Sequence, residues 1–219
     1  TDIIITQPAM QVSDETSLPT AASDEFKPNH TALDSFKITL GMSPNPTSKK
    51  FTYEDGSVVK TPAPPSTPLQ GFESLTVNSM QELANIHTNL YPESYLIYGL
   101  GDSSLGRRQK DLYPFSINSS LYCGDFDSED GTEGKTPEEL IFAYKTIIPN
   151  LDDLAYMVVT STSSHIYKDD ECVYHKGNCK MYIPVESGVM IPELLKRVNQ
   201  HSWLHGEGYI KVNKAGAMY

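Results

Sequence analysis

Two aspartates at the end of an apolar segment form the strongest chemical motif in the sequence. Asp125 and Asp127 flank Phe126 in the stretch SSLYCGDFDSEDG. Because side chains alternate along a strand, the two aspartates are expected on one face with their carboxylates close together. Two such carboxylates can chelate Mg²⁺, which prefers oxygen ligands and keeps positions for water and substrate phosphates. The motif therefore favours nucleotidyl or glycosyl transfer with a metal-bound nucleotide, although an acidic turn without a ligand has the same pattern.

Hydroxyl groups and a histidine follow the next apolar segment of the chain. The residues from Thr160 to His165 read TSTSSH and come directly after the strand-like stretch YMVV. Such a segment can offer hydrogen-bond donors and an imidazole to phosphate groups. Runs of serine are also common in surface loops, so the segment indicates a site only in combination with the aspartates.

Cys172, His175 and Cys179 form a second candidate metal site. Together with His165 they could hold zinc, which cysteine and histidine commonly ligate. Their spacing is unusual for a zinc site, and the lysine-glycine pair between His175 and Cys179 equally indicates a plain hairpin tip. Both interpretations stay open at the level of the sequence.

The composition is that of an acidic globular protein. The chain has 219 residues with 28 acidic and 17 basic side chains, which gives a net charge of −11. This balance argues against a protein that coats DNA through its overall field, but it leaves room for a local nucleic-acid site. No apolar run reaches the roughly 18 residues of a membrane helix, and three cysteines do not make a disulfide framework. We therefore expect a cytoplasmic protein without membrane contact.

Residues 1–70 are predicted to form an N-terminal arm, a β-hairpin and a linker. The arm is polar and has little periodicity. From Phe36 the stretch FKITL alternates as a strand does, and Asp55-Gly56 lies between two β-rich flanks, which is typical of a tight hairpin turn. Four prolines between residues 61 and 68 then predict a linker, because proline cannot continue a sheet.

The rest of the chain alternates helices and strands. Ser79 and Glu82 have the spacing of a capping box at the start of a helix over about residues 79–90. The apolar run YLIYGL follows as a strand, and a loop with two glycines leads to the densest basic cluster in the sequence. That cluster consists of Arg107, Arg108 and Lys110.

Six further elements are predicted in the order β-α-β-β-α-β. This is the order of the split βαβ, ferredoxin-like or RNA-recognition-motif-like arrangement, an α+β fold in which two helices cover one face of a four-stranded sheet. The other face would be free for a site. The elements are a strand at Ser120–Phe126, a helix capped by Thr136 with Pro137 and Glu139 in its first turn, strands at Tyr156–Ser161 and Lys180–Val185, a helix at about 190–203 and a strand at Tyr209–Val212.

Taken in order, these motifs resemble the archaeo-eukaryotic primase (AEP) superfamily, in particular the primase or primase-polymerase domains of plasmid and phage replication proteins. The resemblance covers about residues 72–219, so that residues 71–219 would form the catalytic domain after the N-terminal region. It rests on the ordered stretches YLIYGLGD, RRQKDLYPF, LYCGDFDSEDG, MVVTSTSSHIY and KMYIPV.

The resemblance implies roles for the two central motifs. In the family an Asp-x-Asp motif binds catalytic Mg²⁺ or Mn²⁺, a role that falls to Asp125 and Asp127. A Ser-x-His motif contacts the incoming nucleotide and matches Ser163 and His165. In related domains the histidine often lies in the next strand, where this chain has Lys180. The second motif is therefore expected at His165 or at Lys180.

Two further expectations follow from the resemblance. Arg107 and Arg108 would offer charge to phosphate oxygens of the template or the nucleotide, whereas an exposed basic loop is the plain alternative. The family's third acidic motif is expected beyond Tyr219, with Glu186 and Glu207 as substitutes within this chain.

The implied activity is that of a DNA primase or primase-polymerase, a DNA-directed nucleotidyltransferase. It would transfer nucleotides from NTP or dNTP to a 3′-hydroxyl on a single-stranded DNA template in plasmid or phage replication, with a helicase domain or another replication protein as partner. One alternative is a non-catalytic nucleic-acid-binding module that uses aromatics on an open sheet face, although the sequence lacks that aromatic signature. The other is a metal-dependent glycosyltransferase, a class that usually builds on a doubly wound parallel sheet.

Overall fold

The computed structural model has the α+β composition that the sequence predicts. It describes residues 10–12, 35–43, 50–61, 72–91, 93–101, 113–126, 134–161, 164, 166–174 and 178–206. The α-helices in these ranges are α1 (Met80–Thr88), α2 (Pro137–Ile147) and α3 (Ile191–Leu204), and short 3-10 helices lie at Leu151–Asp153 and Gly188–Met190. The strands are β1 (Met10–Val12), β2 (Phe36–Met42), β3 (Lys50–Glu54), β4 (Ser57–Thr61), β5 (Phe72–Val77), β6 (Ser94–Ile97), β7 (Ser120–Phe126), β8 (Met157–Thr160), β9 (Ile166–Lys168), β10 (Glu171–Tyr174) and β11 (Cys179–Val185). No helix in the described part of the chain is long and apolar enough to cross a membrane.

The central sheet has the strand order β1-β8-β11-β7, and its three pairings are antiparallel. The longest pairing joins β7 to β11 over seven residues, from Phe126 opposite Cys179 to Ser120 opposite Val185. The fourth strand is β1, from the predicted arm, which pairs with β8. The strand predicted at Tyr209–Val212 lies outside the described residues.

Helices α2 and α3 pack against one face of this sheet. The start of α2 confirms the predicted capping box, because the Thr136 hydroxyl accepts from the Glu139 amide at 3.2 Å and the Glu139 carboxylate accepts from the Thr136 amide at 2.8 Å. The buried residues on this side come from the strands, both helices and the connection after α2. They are Tyr122, Leu140, Tyr144, Leu151, Val158, Cys179, Met181, Ile183, Ile191 and Val198.

The opposite face of the sheet is also covered, which differs from the free face predicted for a two-layer fold. Helix α1 and a second sheet of order β5-β2-β6 contribute to a second buried core there. Its members from the central sheet are Leu121, Met157 and Tyr182, each at most 1% exposed. Because β7 and β11 carry apolar side chains on both faces, each strand has to be covered on both sides.

The second sheet joins residues from both sides of the predicted boundary at residue 70. Strand β2 pairs with β5 and with β6, so residues before and after that boundary share one sheet and one core. Helix α1 then begins at its predicted cap, where the Ser79 hydroxyl accepts from the Glu82 amide at 3.1 Å. The capping box is only half formed, because the Glu82 carboxylate accepts from the Asn78 amide at 2.7 Å instead of from Ser79.

Two hairpins complete the described fold. Strands β3 and β4 meet at the predicted Asp55-Gly56 turn, whose φ values of 49° and 81° are those that a tight hairpin turn requires. Strands β9 and β10 form a second hairpin around Asp169 and Asp170, with φ values of 50° and 66°. This second hairpin was not predicted, because an Asp-Asp pair is a weaker turn signal than Asp-Gly.

Gly124 on β7 provides a test of the packing between the sheet and α2. A methyl group at this position would overlap the Tyr144 hydroxyl and lie 2.9 Å from the Tyr122 hydroxyl. We expect Gly124→Ala to lower the free energy of unfolding by about 1–3 kcal/mol, measured by urea denaturation, because the buried tyrosines have to move. Tyr144→Phe in the same background should recover part of the loss. Wild-type stability of Gly124→Ala would show that a methyl group fits there.

Candidate functional site

Asp125 and Lys180 form an ion pair at the end of the two central strands. The two residues are directly opposite each other in the antiparallel register of β7 and β11. The Lys180 Nζ lies 3.1 Å from the Asp125 Oδ2, and the side chains are 36% and 49% exposed, respectively. Both residues were candidate site residues from the sequence, so the fold brings together a predicted metal ligand and a predicted phosphate ligand.

The other predicted site residues lie outside the described residues. They are Asp127, Ser163, His165, Arg107 and Arg108. The prediction that Asp125 and Asp127 share one face therefore stays a prediction.

The described neighbours of these residues show how two predicted segments are held. Ser164, between Ser163 and His165, donates from its hydroxyl to the Asn178 carbonyl and accepts from the Asn178 amide, both at 2.8 Å. Asn178 is two residues before Lys180, which links the hydroxyl-rich segment to the start of β11. Gly101 and Tyr113, on either side of the basic segment, are in close contact.

A layer of polar groups lies beside the ion pair on the same face of the sheet. Cys123 precedes Asp125 by two residues on β7, and Tyr182 follows Lys180 by two residues on β11, so each pair shares a face. The Tyr182 hydroxyl is 2.8 Å from the Tyr98 hydroxyl. The ring of His87 lies 5.1 Å from the Tyr182 ring, measured between centroids. This layer joins α1 and the end of β6 to the two strands that carry the ion pair.

Sequence reasoning did not select these supporting residues. His87 follows Met80 by seven residues and therefore lies on the same face of α1 as the buried Leu83 and Ala84, which is the signal that could have indicated its burial. No comparable signal exists for the contact between Tyr98 and Tyr182, because it joins residues 84 positions apart.

Burial keeps the supporting groups uncharged at neutral pH. Burial, and then the nearby Lys180 ammonium, lower the pKa of His87 to about 4. Burial raises the pKa of the Cys123 thiol to about 11, and it also raises the pKa values of Tyr98 and Tyr182. Among the described residues, the charges of this region are therefore those of Lys180 and its carboxylate partner at the exposed end of the strands.

The zinc interpretation gains no support from the described residues. Cys179 is fully buried, and its thiol donates to the Lys135 carbonyl at 3.4 Å. Burial raises the pKa of this thiol to about 11. Among the described residues, no group of three or more His, Cys, Asp and Glu side chains could hold a metal ion. His165 and His175 lie outside those residues.

The donor set fits a divalent metal in kind, but it is incomplete within the described residues. The half-exposed Asp125 carboxylate at a strand end is a suitable oxygen ligand for Mg²⁺ or Mn²⁺. Glu186 cannot complete it, because it follows the far end of β11 and lies on the order of 20 Å along the strand from Lys180 at about 3.3 Å per residue. Asp127 and Glu207 lie outside the described residues.

Comparisons with protein-family models, with curated proteins and with solved structures found no match to this chain.

The burial of His87 predicts a specific loss of stability in acid. In the unfolded chain His87 takes up a proton with its ordinary pKa of 6.5, whereas in the folded chain it does so only near 4. The unfolded state therefore binds more protons as the pH falls from 7 to 4, and the folded state loses on the order of 3 kcal/mol through this group. Urea denaturation across this pH range should show a smaller loss for His87→Gln than for the wild type.

His201, which is exposed on α3, supplies the matched control for this measurement. His201→Gln should follow the pH dependence of the wild type. If His87→Gln and the wild type lose the same free energy of unfolding between pH 7 and pH 4, the imidazole of His87 is not held in its neutral form by the fold.

Proposed function

We propose that this chain is a DNA primase or primase-polymerase that transfers nucleotides from NTP or dNTP to a 3′-hydroxyl on a single-stranded DNA template. The observation that carries the proposal is the ion pair between Asp125 and Lys180 at the end of β7 and β11. It combines a carboxylate suited to a divalent metal with a cation suited to phosphate. The acidic residues that follow in the sequence, including Asp127, extend the metal-binding character.

The order of strands and helices supports a split βαβ core of the RNA-recognition-motif-like kind. The neighbours β8, β11 and β7 are antiparallel, α2 connects β7 to β8, and α3 follows β11. In the β-α-β-β-α-β order, β7 is the first strand, β8 the second and β11 the third. The third strand therefore lies between the first and the second, as that arrangement requires. The hairpin of β9 and β10 is an insertion between the second and third strands of this core.

The residues of the proposed site have different chemical roles. Asp125 and Asp127 would hold Mg²⁺ or Mn²⁺, which supplies charge neutralisation on the triphosphate and a lower pKa of the attacking hydroxyl. Lys180 would bind a phosphate oxygen as a point charge. Ser163 and His165 are the proposed further contacts of the incoming nucleotide, and Ser164 between them is bound to Asn178 near Lys180.

Two observations disfavour the alternative functions. A binding module of this fold would present aromatic side chains on an open sheet face, but Tyr182, on the face opposite α2 and α3, is only 1% exposed. A glycosyltransferase with an Asp-x-Asp motif usually has a doubly wound parallel sheet, whereas every strand pairing in the described residues is antiparallel. A role in plasmid or phage replication, with a helicase domain or another replication protein as partner, is part of the same proposal.

The proposal predicts that primer synthesis depends on the two aspartates. The purified chain, or a longer protein that contains it, should make short oligonucleotides on single-stranded DNA with NTP or dNTP when Mg²⁺ or Mn²⁺ is present. Asp125→Asn with Asp127→Asn should reduce this synthesis at least about a hundredfold, because the charge that holds the metal is lost. Gel analysis of labelled products under one set of conditions measures the difference.

Asp152 provides a matched control for the loss of an exposed carboxylate. It forms an ion pair with Lys145 at 2.6 Å near α2, on an exposed part of the chain. Asp152→Asn should leave primer synthesis within about twofold of the wild type, since isolated surface ion pairs contribute little to stability. Full synthesis by the double aspartate variant, or an equal loss in Asp152→Asn, would contradict the assigned site.

A further inference from the structure

Lys180 forms an ion pair with Asp125, whose carboxylate is a metal ligand in the proposed function. Its Nζ lies 3.1 Å from the Asp125 Oδ2, and no other partner of this carboxylate is found in the described part of the chain. The contact is set by the backbone, because the two residues are directly opposite each other in the β7–β11 register. The pair is exposed enough for ions and ligands to reach it.

The ammonium group and a divalent cation compete for this carboxylate. Mg²⁺ needs its oxygen ligands at about 2.0–2.1 Å and tolerates little departure from octahedral geometry. A cation bound there would place two like charges within a few ångströms of each other, which costs free energy even near the surface. Lys180 therefore weakens metal binding while it contacts Asp125, and metal binding weakens the ion pair to the same extent.

The surroundings of Lys180 offer no second anion among the described residues. On β8, Lys180 is paired with Val159, and along β11 its nearest neighbour on the same face is Tyr182. The Tyr182 hydroxyl already contacts the Tyr98 hydroxyl, and His87 is uncharged because its pKa lies near 4. Within the described residues, an ammonium that leaves Asp125 therefore has solvent or an anionic ligand as its next partner.

We propose that Lys180 is an exchangeable counter-ion that couples metal binding to phosphate binding. In the metal-free chain Lys180 neutralises Asp125. When a divalent cation binds to Asp125, the Lys180 ammonium becomes available to a phosphate group of the nucleotide. The inference deepens the proposed function and depends on it. It makes Lys180 a substrate-binding residue only in the metal-loaded state, so that the chain binds free nucleotide poorly and metal-bound nucleotide well.

The test compares the wild type with Lys180→Met, which keeps the length of the side chain and removes its charge. Calorimetric titration with Mg²⁺ alone measures metal affinity, and titration with ATP in the presence of Mg²⁺ or of a chelator measures nucleotide affinity. We expect Lys180→Met to bind Mg²⁺ alone at least about threefold more tightly, because the competing ammonium is gone. It should bind ATP with Mg²⁺ at least about tenfold more weakly, because a charge-assisted contact to phosphate is lost.

Lys145→Met is the matched control, because Lys145 also forms an exposed ion pair with an aspartate but lies away from the site. It should match the wild type in every titration. Lys180→Arg, which keeps the charge, should stay close to the wild type in its affinity for Mg²⁺ alone. Since all variants meet the same Mg²⁺–ATP complex in solution, differences between them report on the protein.

The outcomes separate this inference from the proposed function. Opposite changes in Lys180→Met, with tighter Mg²⁺ and weaker Mg²⁺–ATP binding, would support the exchange. Unchanged or weaker Mg²⁺ binding by Lys180→Met, in a wild type that binds Mg²⁺ and synthesises primers, would overturn the exchange and leave the proposed function in place. A wild type that binds neither Mg²⁺ nor Mg²⁺–ATP and makes no primers would overturn both.

Discussion

The antiparallel register between β7 and β11 is the constraint on which the rest of the structure depends. It places Asp125 opposite Lys180, and two residues further along the strands it places Cys123 opposite Tyr182. Since side chains alternate along a strand, a slip of one residue would move Asp125 to the face that packs on α2 and α3. A carboxylate in that apolar core would be strongly destabilising, so the burial of the core and the position of the site enforce the same register.

The coverage of both sheet faces explains why the candidate site lies at a strand end. With α2 and α3 on one side and α1 with the β5-β2-β6 sheet on the other, the middle of β7 and β11 is inaccessible to a ligand. Towards the end of the strands that carries the ion pair, exposure returns at Asp125 and Lys180, whose side chains are 49% and 36% exposed. The covering elements therefore decide which residues of the two strands can bind anything, although none of them supplies a charge to the pair.

Local signals predicted the local parts of this fold. The bounds of β7 follow from its apolar run, the start of α2 follows from the capping box at Thr136, and the first hairpin follows from Asp55-Gly56. The cover on the second sheet face and the addition of β1 to β8 could not be derived in this way, because they depend on contacts between distant segments. Of the candidate site, the sequence indicated Asp125 and Lys180 separately, whereas their contact depends on the pairing of strands 55 residues apart.

The uncharged layer under the ion pair has a physical role in its chemistry. A charged imidazole at His87 would repel Lys180, and burial removes that charge at neutral pH. The hydroxyl pair of Tyr98 and Tyr182 satisfies two buried polar groups without adding charge. Among the described residues, the Lys180 ammonium is thus attracted mainly to Asp125, and isolated ion pairs that are exposed to solvent, as this one is, contribute little to stability. A buried version of the same pair would hold its lysine too firmly to release it to a ligand.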